Sequence, residues 1–131
     1  MNNNQDIYNF LKSNGFKQVE EEISKYFGDY YVTFVYYDIE LRFCSSKSFE
    51  TLEIRYIKEK ANWYDLALIK ALLFDKEILS NIFTMEEQID FLKKEFNQIM
   101  ELFNKRNYQN SKKKLDKLGQ ERIKQLFPKM T

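Results

Sequence analysis

Histidine is absent from this chain of 131 residues. Its absence removes the commonest general base, the Ser-His and Cys-His nucleophile pairs, and the commonest transition-metal ligand. Cysteine occurs once, at Cys44. One cysteine forms no internal disulfide and no zinc site, and it suits a reducing, cytoplasmic setting. Glycine occurs three times, at scattered positions, so no phosphate-cradling loop can be written. A single proline leaves no room for a proline-rich linker. The longest nearly apolar run, Tyr30 to Tyr37, spans eight residues, against about 20 for a membrane helix. The first residues lack the basic and apolar segments of a signal peptide. The expectation is a cytoplasmic protein, not embedded in a membrane, with no cofactor and no catalysis of its own.

What is present is a large apolar and aromatic content, 44% and 17% of the residues, enough for one folded domain over residues 1–131. Lysine outnumbers arginine 17 to 4 and asparagine and isoleucine abound, a bias that suggests an AT-rich bacterial genome. Net charge is +1, but residues 1–83 carry net −3 and residues 84–131 carry net +4. No global field therefore selects a partner, although the C-terminal end is basic.

Periodicity places the elements. Residues 4–14 read as a helix with Ile7, Phe10 and Leu11 on one face and Gly15 as its stop. Residues 16–27 fit either a helical face (Phe16, Val19, Ile23, Tyr26, Phe27) or a strand. The expected layout is thus an N-terminal helical segment over 1–27, antiparallel strands within 30–58 and helices within 62–127. Gly28-Asp29 signals a turn, and Tyr30 to Tyr37 is rich in aromatic and β-branched residues. Ile39, Leu41 and Phe43 alternate with Glu40 and Arg42. Past a polar turn at Ser45 to Ser48, Leu52, Ile54 and Tyr56 alternate with Glu53 and Arg55. These two strands have one wet face and one core face, whereas Tyr30 to Tyr37 is apolar on both.

Asn62 can cap a helix from Trp63 to about Phe74. Thr84-Met85-Glu86-Glu87 matches a capping box. The following apolar positions Met85, Ile89, Leu92, Phe96, Ile99 and Phe103 make a narrow seam. A last helix starts near Ser111 and stops at Pro128. The fold class is α+β: a three- or four-stranded antiparallel meander packed by helices, with a C-terminal helical hairpin.

Four features carry candidate chemistry. The adjacent Glu20, Glu21 and Glu22 cannot share one helical face and read as a solvated charge run, as Cys44 reads as a structural thiol. The basic helix with Lys112, Lys113, Lys114, Lys117, Arg122 and Lys124 is either a solvated face or a set of phosphate contacts. Because only one of these is arginine, specific base reading is not expected, only weak, non-specific nucleic-acid binding. The tyrosines at 26, 30, 31, 36 and 37 either fill the sheet core or form an interface. On the interface reading, Tyr31 and Tyr37 are the contact residues, and Asp29, Asp38 and Glu40 steer a partner. That partner is another protein or a second copy of the chain.

The order of a short helix, a meander and a helical run resembles small bacterial immunity proteins of polymorphic or contact-dependent toxin systems. Tyr26-Phe27-Gly28-Asp29, Leu52-Glu53-Ile54 and Trp63-Tyr64-Asp65-Leu66 carry the resemblance, over roughly residues 16–74. It implies a cytoplasmic protein that binds and blocks a toxin domain.

Overall fold

The computed structural model describes residues 5–23, 30–46, 49–59, 62–74 and 84–127. The chain runs α1 (Gln5–Ser13), β1 (Lys17–Ile23), β2 (Tyr30–Tyr36), β3 (Ile39–Ser46), β4 (Phe49–Tyr56), β5 (Tyr64–Asp65), α2 (Leu66–Phe74), α3 (Met85–Lys94), α4 (Phe96–Leu102) and α5 (Tyr108–Leu126). It is an α+β fold. The sheet is an antiparallel meander in the order β1-β2-β3-β4-β5.

The sheet has five strands rather than three or four, because the open alternative at residues 16–27 resolves toward strand and because a short strand precedes the helix expected from Trp63. Residues 17–23 pair antiparallel with β2, and a bulge between Gln18 and Glu20 leaves Val19 outside the regular register and 56% exposed. The 1–27 segment is therefore helical only in its first part. At the other edge, Tyr64 and Asp65 pair with Ile54 and Glu53. The helix expected from Trp63 thus begins at Leu66. Its cap is Asp65, whose Oδ1 accepts the Leu68 N–H at 3.0 Å, and not Asn62.

Gly15 stops α1 as expected. The Gly15 N–H bonds Lys12 O at 3.1 Å and the Phe16 N–H bonds Leu11 O at 3.0 Å, with Gly15 at φ 93°. This pairing satisfies the last carbonyls of the helix and needs a left-handed residue. The capping box forms too: Thr84 Oγ1 accepts the Glu87 N–H at 3.1 Å, and Glu87 Oε1 accepts the Thr84 N–H at 2.9 Å. Strand β3 runs through Ser45 and Ser46, where a turn was expected to begin; Lys47 and Ser48, the turn at Gly28-Asp29, Tyr26 and Pro128 lie outside the described residues.

The C-terminal helices do not form the simple two-helix hairpin expected over residues 84–127. The seam from Met85 to Phe103 is divided at Glu95 into α3 and α4. Helix α5 makes its most extensive helix contact with α2. It starts at Tyr108 rather than near Ser111, because Tyr108 and Ser111 both face the core. Apolar residues occupy most of the circumference of α2, so it needs cover on several sides, and α5 supplies one of them.

A single core joins these elements. Val32, Phe34, Leu41, Phe43, Leu52, Ile54 and Tyr64 from one sheet face meet Ile7, Leu11, Leu66, Ile69, Leu92, Ile99, Phe103 and Leu115 from the helices, all at most 4% exposed. Tyr56 stacks on Tyr108 with centroids 4.5 Å apart and planes at 21°. Gln88 is the polar member: its Oε1 accepts the Leu52 N–H at 2.8 Å and its Nε2 donates to Glu50 O at 3.1 Å. One buried side chain thus occupies the edge of β4 just where β5 does not reach.

Two substitutions test this packing. Leu92→Ala should cost about 2–5 kcal/mol as a fully buried truncation, and a urea melt near wild type would refute its placement. Gly15→Ala should cost about 1–3 kcal/mol, because its Cβ would lie 2.7 Å from Tyr36 Cε1 at a positive φ. An unchanged melt would contradict the tight approach of Tyr36.

Candidate functional site

The described helices contribute to the core on one side of the sheet. The opposite face carries the alternate residues: Tyr31, Thr33 and Val35 of β2, Glu40, Arg42 and Cys44 of β3, and Thr51, Glu53 and Arg55 of β4. In the register, Glu40 stands opposite Arg55 and Arg42 opposite Glu53. Both pairs close as salt bridges. Their side chains are only 13–26% exposed. Such cross-strand pairs contribute about 0.2–1 kcal/mol each.

Trp63, the sole tryptophan, closes the face. Its ring lies 4.2 Å from the guanidinium carbons of both Arg42 and Arg55. Arg42 also lies 5.1 Å from the Tyr31 ring. The result is a continuous stack, Tyr31–Arg42–Trp63–Arg55. Each guanidinium donates to a carboxylate and lies against an aromatic ring. Burial acts to lower the Arg42 pKa, but the Glu53 hydrogen bond and the charges of Cys44 and Glu53 hold it above its ordinary value. Cys44 donates to Glu53 Oε1 at 3.3 Å. Burial, with the Glu53 charge added, pushes the Cys44 thiol up to about 12. It is a structural thiol and not a nucleophile.

The sequence-predicted interface divides in two. Tyr31 and Glu40 lie on this outer face. Tyr37 and Asp38 form the two-residue turn between β2 and β3, at its end, with Tyr37 81% exposed and at φ 54°. Asp29 lies outside the described residues. Arg42, Glu53, Arg55 and Trp63 were not singled out from sequence. The signal was nonetheless there: Glu-x-Arg in one strand and Glu-x-Arg in the next, joined by a turn, pair crosswise in an antiparallel register.

The basic helix is partly spent on structure. Lys112 pairs with Glu59 at 3.5 Å, and Arg122 with Asp65 at 2.9 Å. Lys113, Lys114, Lys117 and Lys124 are exposed. Among the described residues no three His, Cys, Asp or Glu side chains are grouped to hold a metal ion, and no helix is long and apolar enough to cross a membrane. At the edge of the core, Tyr64 donates to Asp116 Oδ1 at 2.7 Å, and burial together with that bond raises the Tyr64 pKa. No known protein family, characterised protein or solved structure matches the chain.

The thiol gives a direct check on this face. With Cys44 near 12, the thiolate at pH 8 should be roughly one in ten thousand molecules, far below an ordinary cysteine. Alkylation of the folded protein should be correspondingly slow, and Glu53→Gln should accelerate it by removing the neighbouring charge. Because the folded pKa lies above the unfolded one, this contribution to stability is complete below about pH 9 and declines as pH rises toward 12. Alkylation as fast as in the urea-unfolded chain would refute the burial of Cys44.

Proposed function

We propose that this chain is a non-enzymatic protein-binding domain whose outer sheet face grips a polypeptide partner, as an immunity protein grips a toxin domain. One observation carries the reading: the Tyr31–Arg42–Trp63–Arg55 stack stands on the sheet face that no described helix covers. Tryptophan, tyrosine and arginine are the residue types that dominate binding energy at protein interfaces. Here their rotamers are fixed in advance by salt bridges and stacking, which lowers the ordering cost of association. A bacterial origin and a cytoplasmic location belong to the same reading.

The absence of histidine supports a binding role over a catalytic one, as does the raised Cys44 thiol. The exposed lysines of α5 support at most non-specific contact with phosphates, since Lys112 and Arg122 already have carboxylate partners.

The test is co-expression of the chain with the product of its neighbouring gene, followed by affinity purification and calorimetry on any complex. The double variant Tyr31→Ser, Trp63→Ser should weaken that complex by at least about a hundredfold, as expected for two interface anchors. Lys113→Glu with Lys117→Glu should leave it unchanged. Thermal melts establish that each variant folds. Undiminished binding by the folded Tyr31/Trp63 variant would move the interface elsewhere.

A further inference from the structure

We propose that the cleft between the β2–β3 turn and the α4–α5 connection is a second contact site, which takes an arginine or lysine side chain of a polypeptide. The cleft encloses about 700 Å³. Ile39 and Phe103 are buried at its base, Met100 forms a wall, and Tyr37, Asp38 and Glu101 stand at its rim. It lies at the end of the sheet, on the side of α4, and shares neither Tyr31 nor Trp63 with the outer face. It rests on the protein-binding reading for its occupant and not for its geometry.

Tyr37 is the most unusual residue there. Among the described residues it has the largest exposure of the large hydrophobic side chains, 81%, and its φ of 54° is the sole positive value outside glycine. Glycine or asparagine occupies such a turn position without penalty, whereas a bulky side chain is strained. A tyrosine held there adds little to the core. Its one close aromatic neighbour among the described residues, Tyr36, meets it edgewise with centroids 4.6 Å apart, which leaves most of the ring surface free.

The carboxylates of Asp38 and Glu101 form no ion pair among the described residues. Among the described residues Lys105 is the one cation lining the cleft. An aromatic ring and two free carboxylates that line one cleft attract a cation, the ring through its quadrupole and the carboxylates through charge-assisted hydrogen bonds. An anion would meet two like charges. The cleft is open to solvent, whereas sites for free small ligands bury most of the ligand's surface. One side chain projecting from a larger polypeptide matches its shape.

The probe is the blocked peptide acetyl-Gly-Arg-Gly-amide, followed by amide chemical shifts of the full chain. Saturable shifts should cluster at residues 36–39 and 97–105 and be absent with the norleucine peptide. Asp38→Asn with Glu101→Gln should weaken binding about tenfold. Tyr37→Gly should weaken it similarly while leaving the melting temperature equal or higher, because it relieves a strained backbone. Scattered shifts, arginine and norleucine peptides binding alike, or a marked fall in melting temperature for Tyr37→Gly would each overturn the proposal. So would arginine amide binding as tightly as the peptide, since the occupant would then not be a polypeptide. Loss of the partner complex in the Tyr31/Trp63 variant with peptide binding intact would separate this site from the outer face.

Discussion

The register between β3 and β4 is the constraint on which the other features depend. Leu41 opposite Ile54 and Phe43 opposite Leu52 place four apolar side chains on the core face. Glu40 opposite Arg55 and Arg42 opposite Glu53 place four charges on the other. Because side chains alternate with a period of two, a slip by one residue would turn the charges into the core and the leucines into water. The apolar pairs supply most of the energy, and the charge pairs make the wrong register costly. This register also fixes what β2 and β5 can do. It sets Val32 and Phe34 inside with Tyr31 outside, and it places Tyr64 inside, adjacent to Trp63 on the outer face.

With the sheet fixed, the helices solve the remaining problems of one covered face. Tyr8 packs against both Phe34 and Phe43, with centroids 5.3 and 5.1 Å away, so α1 closes one end of the sheet. Gly15 lets the chain turn tightly enough for Phe16 to pack beside Tyr36. Gln88 satisfies the exposed backbone of β4 where the two-residue β5 falls short. Ion pairs from Asp65 to Arg122 and from Glu59 to Lys112 then tie α5 to the far edge of the sheet. Each of these contacts is exposed enough that its main contribution is orientation rather than energy.

The parts of this fold legible in sequence were those written in local chemistry. The Gly15 stop, the Thr84–Glu87 capping box and the alternation in residues 39–43 and 52–56 each depend on a few neighbouring residues, and each forms as read. What escaped was decided by distant partners. Residues 17–23 lack clean alternation, and it is the unsatisfied edge of β2 that draws them into the sheet. Asp65 and Asn62 are comparable caps in isolation; the pairing of Tyr64 with Ile54 decides between them. The seam from Met85 to Phe103 announced a partner but not which one; it is divided into α3 and α4, and α5 packs most extensively on α2. At the candidate site, Tyr31 and Tyr37 were read as one surface because alternation places both odd positions together. The left-handed turn at Tyr37 breaks that alternation and sends the two rings to different places.

The two surfaces differ in what they can contribute to association. On the outer face each arginine already has a carboxylate and an aromatic ring. Covering such satisfied pairs leaves no new unpaired charge, so a partner would gain from burying the faces of Trp63 and Tyr31 at little electrostatic cost. At the turn the balance is reversed. Asp38 and Glu101 stand free beside an exposed ring, so the field there reaches outward and acts before contact. Complementary charge at a rim mainly raises the rate of encounter and sets orientation, whereas desolvated aromatic anchors mainly slow dissociation. A domain with both devices would draw a basic partner by one edge and hold it by the sheet. This division follows from which charges the β3–β4 register neutralises and which the turn leaves unpaired.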